Sequence, residues 1–549
     1  MPISITQETF DEVVKENMED FDMDRGAAVQ DAIEQFEKQG ADLTLVDTSL
    51  EGAGRDALVA INASLETLRG LVRDAQWHVE RATARECVLL LLKLGELCRH
   101  QGAAGERHKT SLAQAGGVAV IAGLMHTGEQ GEVHLDSLRY DVIVKCLSTL
   151  QDACRNHERN RLSFVQNMTQ LNRLLMLMLM RGVDDCAYAD ADDDGTEDAR
   201  VRGVRDVVEE GLRLVRVVCT KTESNKASFM RHQGAMVLTA ALTRYGSGDK
   251  DKADANVTKE ACGALRSVTT GDDRTKDFSS TYDNVKQLVS KGAVLLLLEA
   301  AKAFKANVST LAGIFLALKQ LAANDETVKM IEEKGGLDVV RAAMSDFPSD
   351  ASVWRASLSL LRNMCANDDF KAKLVSEDGL QLILGAMSQH KEDALLQEHG
   401  CGVLGAIALR SPSNGSRIVH EGGIQVVLES MRRHPSVHGL QRHACLCIRN
   451  IAARGPDLRQ AMLDEGCEAA LRDAGKISGC VDEAYMALRD LRCEVKLVNV
   501  RQDGQVVQVG VEAFGEHKLN FNPSLDETRN LASKVQETAA APANTGFRF

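Results

Sequence analysis

The chain has 549 residues, 44% hydrophobic and 26% charged, and 65 Lys and Arg against 79 Asp and Glu leave a net charge of −14. That much apolar surface excludes wholesale disorder. The negative balance argues against a general nucleic-acid binder or a coat for anionic membranes, since both need basic surface.

Only 7 prolines, 14 Phe, 5 Tyr and 2 Trp occur. Strands and their turns draw on those residues, whereas the abundant Leu, Ala, Lys, Arg and Glu are strong helix formers, so an all-α fold is expected. The 14 cysteines include no C-x-x-C pair, and a chain this long without a secretory leader does not call for a disulfide framework. The longest apolar runs, 174–180 and 293–298, are far short of a membrane span. The expected setting is cytoplasmic, or the nucleus, cilium or cytoskeleton; the chain is expected to be neither secreted nor membrane-spanning.

In chain order, residues 5–23 and 32–46 predict two helices inside an acidic segment, 1–54. Residues 1–47 hold 13 acidic and 3 basic residues. Phe10, Val13, Val14, Met18 and Phe21 fall at helical spacing and give the first helix one apolar face. That face is expected to cap the following structure or to dock into a partner's groove.

Residues 55–493 carry a repeat. A glycine landmark followed by an apolar helix recurs as KGAVLLLL, KGGLDVV, DGLQLIL, GGIQVVL and EGCEAAL. Its aligned positions Ala293, Gly336, Gly379, Gly423 and Gly466 are spaced by 43, 43, 44 and 43 residues. Earlier copies are AGGVAVI at 115 and QGAMVLT at 233. A second landmark keeps phase: LKQLAAND, LRNMCAND, LGAIALRS and IRNIAARG, whose third residues are Gln320, Asn363, Ala406 and Asn450. Pro348 and Pro435 each lie 12 residues beyond their glycine landmark and separate two helices. Each unit therefore reads as a short helix, a glycine break, a second helix, a loop and a longer third helix. No unit buries its apolar face alone, so the units must stack into one solenoid.

Within the solenoid, residues 184–198 form an acidic insertion with 8 acids and no base, and 246–256 a polar loop. After it, VKLVNV (495–500) and QVVQVGV (505–511) alternate apolar and polar around Asp503-Gly504. That pattern predicts a β-hairpin within 494–521. Residues 522–549 are expected to be a disordered tail.

LLRNMCAND and CIRNIAARG, with the glycine starts, resemble the armadillo repeat family, and the N-terminal phrase QFEKQGADL resembles one branch of it more specifically than any repeat does. The resemblance covers about four fifths of the chain and implies a right-handed superhelical solenoid whose third helices line a concave groove. In peptide-binding members an Asn ladder on those helices holds the ligand backbone and neighbouring Trp residues stack on it. At the matching positions stand Gln320, Asn363, Ala406 and Asn450, with Asp152, Val217 and Ser267 upstream. The Trp positions hold Leu316, Ser359, Gly402 and Leu446, so a nuclear-import-type groove for a basic peptide is not expected. Trp354 falls on the opposite helix face and reads as packing. Arg362 and Arg449 precede two Asn residues and suit acidic partner segments.

Three motifs imitate chemistry. Asp190, Asp192, Asp194 and Gly195 copy half of a calcium loop, but the twelfth position, which needs a bidentate Glu, is Val201. Gly400, Gly402 and Gly405 match G-x-G-x-x-G, yet lie inside a third helix rather than after a strand. His434, His438, His443, Cys445 and Cys447 are zinc-ligand types at no zinc-finger spacing. No catalytic, cofactor or metal constellation is expected. The sequence favours a non-enzymatic protein–protein interaction scaffold using the groove residues Gln320, Arg362, Asn363, Arg449 and Asn450. The alternative is a structural component of a cytoskeletal or axonemal assembly that contacts neighbours through its termini. Residues 1–47 contribute −10 and 184–198 contribute −8 to the net charge, so the remaining surface is slightly basic.

Overall fold

The computed structural model describes residues 3–5, 7–20, 23, 25–39, 41–42, 53–74, 81–125, 137–180, 197–247, 253–271, 279–500 and 506–512. The expected acidic insertion lies outside the described residues except for its last two positions, and the tail 522–549 lies outside them altogether.

The unit expected from the landmarks is present in regular form. Asp325–Glu333, Gly336–Asp346 and Ala351–Met364 are its first, second and third helices. The next unit repeats them as Asp368–Ser376, Gly379–Gln389 and Ala394–Ala408. Pro412–His420, Gly423–Arg433 and His438–Arg454 follow. Polar residues that close the second landmark start the next helix: the Asn324 side chain accepts from Thr327 N–H and that of Asn367 from Phe370 N–H. Such caps satisfy donors that the first turn leaves without partners.

The left-handed position lies one residue before the aligned landmark in four units and on it in the fifth. Gly292, Gly335, Asp378, Gly422 and Gly466 have φ of +83°, +82°, +60°, +82° and +96°. In three units a glycine follows, Gly336, Gly379 and Gly423, and it serves another end. A Cβ on Gly336 would stand 2.4 Å from Ile331 Cγ2 and 2.6 Å from its carbonyl oxygen, because the second helix starts against the first.

Third helices pack on one another in a row: Arg81–Arg99, Ser137–Cys154, Glu197–Cys219, Ala255–Thr269, Val308–Leu321, then the three above and Val481–Asp490. One continuous apolar core runs from Ile61 to Val495 beneath them. Thirteen cysteines are buried and free, acting as small apolar side chains. No described helix is long and apolar enough to cross a membrane.

Trp354, Gln397 and Gln441 occupy one repeat position and do one job. The Trp354 indole N–H donates to Phe347 O and Pro348 O, both at 3.1 Å. Gln397 Nε2 donates to Met387 O and His390 O, and Gln441 Nε2 to Met431 O and His434 O. Each ties the loose end of a second helix to the start of the third.

At the N-terminus the helices are Gln7–Asp20 and Arg25–Lys38, the second ending well before the expected 46. Ala41–Asp42 instead pairs in parallel with Ile3–Ser4. Phe10 and Val14 pack with Ala28, Val29, Ala32 and Phe36 in a cluster separate from the solenoid core. The apolar face of the first helix is thus taken by the second, while Met18 remains exposed. Near the other end, strands Val495–Val500 and Val506–Glu512 pair antiparallel with an irregularity at Leu497/Val498; the expected turn at 503–504 lies outside the described residues.

Candidate interaction groove

The row of third helices sets the geometry of the candidate site. Gln320, Asn363 and Asn450 are all half-buried on it. Asn363 Nδ2 donates to Lys319 O at 3.1 Å, and Asn450 Nδ2 to Gly405 O at 2.9 Å. Each Asn therefore clasps the preceding third helix with one amide N–H. Gln320 Nε2 reaches back to Thr270 Oγ1 at 3.4 Å.

The two arginines differ. Arg449 Nε stands 3.4 Å from Asp490 Oδ2 and is already neutralised. Arg362 forms no ion pair among the described residues; its Nη1 donates to His443 Nε2 at 3.1 Å. That bond needs a neutral imidazole with Nε2 as acceptor. Burial first, then the Arg362 charge, hold His443 down to about 4, which keeps it neutral. His399 is held down to about 4 by burial and by Arg362 and Lys319.

Reading one position before the rungs from Val217 onward extends the expected pair Arg362 and Arg449 to a column whose other cations the Asn search missed: Arg216, Arg266, Lys319, Arg362, Gly405 and Arg449. Arg266 and Lys319 lie half-buried and form no ion pair among the described residues. Burial and the neighbouring cations push both below their usual range: Arg362 and Arg266 act on Lys319, and Arg216 acts on Arg266. The signal was in the sequence, since LRSV, LKQL, LRNM and IRNI align; looking only for Asn and Trp passed over it.

The expected Trp positions show what replaces an aromatic platform. Ser359 is buried, and Leu316 and Leu446 are half-buried. At Gly402, a Cβ would meet Arg362 Cδ at 2.7 Å, so the arginine stem lies over the glycine. Gly263, at the same position, is covered by Arg216 in the same way, at 2.8 Å.

The imitation motifs are placed too. Gly400, Gly402 and Gly405 sit inside the Ala394–Ala408 helix, where added side chains would meet Met387, Arg362 and Cys447, so they serve close packing. Cys445 and Cys447 are buried in the core, and His434 Nε2 bonds Lys391 O at 2.8 Å. Among the described residues no group of three His, Cys, Asp or Glu is placed to hold a metal ion. Asp190, Asp192 and Asp194 lie outside them. A cleft of about 290 Å³ lies between two second helices near Met387, Gln425 and Glu429. Its Arg433 is already paired with Glu429 and Glu392.

Comparison with known proteins agrees with this architecture. The ARMC6 family matches residues 200–506, and the "Armadillo repeat-containing protein 6 N-terminal domain" matches residues 3–57. Armadillo repeat-containing protein 6 of Pongo abelii is 32% identical over 59% of this chain and 56% of its own length. The Homo sapiens protein of that name is 31% identical over the same shares. The chain thus spans somewhat over half the length of these curated relatives. An engineered protein of known crystal structure superimposes with a TM-score of 0.51 at 17% identity, covering 79% of this chain and 98% of its own, a likeness of fold alone. With more than half its length matched, the chain belongs to the armadillo repeat-containing protein 6 family.

Proposed function

We propose that the protein is a non-enzymatic protein–protein interaction scaffold whose partner lies along the row of third helices. The observation that carries this reading is the state of Arg362, Asn363 and Asn450: a half-buried cation that forms no ion pair among the described residues, and two half-buried amides that each spend one N–H on the preceding helix. An extended chain presents backbone N–H and C=O groups that such amides match. Gln320 and Arg449 flank the same stretch. Arg449 joins only by releasing Asp490. Recovery of partners by the full chain is expected to fall at least tenfold in Arg362→Glu plus Arg449→Glu. Undiminished recovery rejects the site.

A second reading rests on the ends of the chain. Among the described residues the strands 495–500 and 506–512 pair with no third strand, and such edges invite pairing with another chain, while the N-terminal helices keep a core of their own. These features suit a building block of a large cytoskeletal or axonemal assembly, with an acidic segment 1–54, a solenoid 55–493 and a C-terminal part 494–549. Deleting 494–549 separates the readings: loss of assembly with the solenoid still folded favours this one, and no loss favours the groove. Neither nucleic acid nor membrane is proposed as a partner.

A further inference from the structure

We infer that the middle of the groove, Arg266, Lys319 and Arg362, docks an acidic, extended segment of a partner protein. This rests on the groove reading above and gives its ligand a chemistry.

The three cations occupy one repeat position on three successive, directly packed third helices, Ala255–Thr269, Val308–Leu321 and Ala351–Met364. The same position at either end is neutralised. Arg216 stands 3.2 Å from Glu260 and Arg449 3.4 Å from Asp490. Among the described residues the middle three form no ion pair with a carboxylate. Half-buried like charges without counter-ions are costly, because burial removes water and each cation raises the potential at the next. The lowered affinity of Lys319 and Arg266 for their protons reflects that cost. Elsewhere in the solenoid buried cations are met by several polar groups: buried Arg161 donates to Thr222 Oγ1 at 3.2 Å and Cys154 O at 3.4 Å, and two buried lysines meet a carboxylate as well as a carbonyl. Buried Lys226 meets Glu223 at 2.8 Å and Thr270 O at 2.6 Å, and buried Lys371 meets Asp368 at 2.5 Å and Leu409 O at 2.9 Å. Among the described residues the groove trio stands as three successive cations without a carboxylate, and a ligand's carboxylates would supply one to each.

Geometry sets the ligand's form. Packed helices lie about 8–10 Å apart, so the column offers a cation at about that interval. A polyproline-II-like chain rises about 3.1 Å per residue with three residues per turn, which brings every third side chain to one face at about 9 Å. An acidic residue at every third position therefore faces Arg266, Lys319 and Arg362 in turn. Gln320 and Asn363, one residue further along, are placed to hold its backbone.

The test uses the full chain and a fluorescein-labelled dodecapeptide with Glu at every third position. Its comparators carry Gln or Lys at those positions, and a single-stranded dodecathymidylate is the nucleic-acid probe. The Glu peptide is expected to bind at least tenfold more tightly than the Gln and Lys peptides and more tightly than the oligonucleotide, with affinity falling as salt rises. Arg266→Gln, Lys319→Gln and Arg362→Gln together are expected to weaken it at least tenfold. The same charge change at exposed Lys291, Lys302 and Lys334 leaves affinity within twofold. Removing unmatched cations is also expected to leave Tm unchanged or raise it; a fall in Tm assigns them a structural role and overturns the inference. Equal binding of the Glu and Gln peptides, tighter binding of the oligonucleotide, or indifference to the triple substitution overturns it too. If partner recovery still depends on Arg362 and Arg449 in that event, the groove reading stands and only the ligand's chemistry fails.

Discussion

Arg362 of one third helix lies over Gly402 of the next, where a Cβ would stand 2.7 Å from the arginine Cδ, and its guanidinium continues to His443 on the third helix beyond. A glycine in mid-helix gives up about 1 kcal/mol of helix propensity relative to Ala. Here the missing side chain makes room for a cation stem to run along the groove, and the Arg216–Gly263 pair repeats the arrangement.

The neighbour decides what each glycine tolerates. At Gly402 the atom in the way belongs to a flexible side chain, so Gly402→Ala is expected to remain within about 1 kcal/mol of the parent in denaturant unfolding. At Gly405 the obstacle at 3.3 Å is the Cys447 backbone, in a tightly packed helix pair. Gly405→Ala is expected to cost about 1–3 kcal/mol. Equal effects would contradict the assignment.

The left-handed position separates in the same way. Gly335, at φ +82°, is expected to lose about 1 kcal/mol on change to Ala, because a Cβ is strained there. Asp378 already bears that strain at φ +60°, so Asp378→Gly is expected to be neutral or stabilising. Chemical denaturation of the two single variants checks both signs.

Fold and groove differed in how far they could be read from the residues. The 43-residue phase of the glycine and L-R-N-M landmarks forces stacking, because one unit's apolar face has nowhere else to go, and the continuous core follows from it. The glycine register slipped by one in four units. In two of them, Gly335-Gly336 and Gly422-Gly423, adjacent glycines serve different ends, while Gly292-Ala293 and Asp378-Gly379 show that either place can be held by another residue. The N-terminal helix face was legible as apolar, but what covers it depends on where the chain turns back, which periodicity does not specify. Asn363 and Asn450 were found by resemblance. Which cations stand unmatched was out of reach, since Asp490 and Glu260 approach Arg449 and Arg216 only through packing.

Gln441 and its counterpart Gln397 each hold two carbonyls at the end of a second helix. Gln441→Leu keeps the volume and strands Met431 O and His434 O, at an expected cost of about 1–3 kcal/mol. Gln441→Glu loses the donor as well and should not rescue. A Tm within experimental error of the parent for Gln441→Leu would remove the repeat-wide role given to this position.

His443 is held near 4 against its ordinary 6.5. Between those values the unfolded chain binds a proton that the folded chain refuses, so stability falls as pH drops from about 6.5 toward 4. The contribution is on the order of 1 kcal/mol once partial exposure is allowed for. His443→Gln is expected to flatten the pH dependence of unfolding free energy in that window, with His399 supplying the remaining slope. An unchanged slope would mean that His443 charges freely in the fold.

Lys319 is the lysine of the cation column and forms no ion pair among the described residues, which makes its amine a reporter of the proposed site. Cross-linking mass spectrometry with an amine-reactive reagent, on the full chain purified with its partners, tests the groove account most directly. The account predicts links from Lys319 to an acidic partner segment, lost on Arg362→Glu plus Arg449→Glu. Partner links confined to residues 1–54 and 494–549, with Lys319 linked to none, would contradict it.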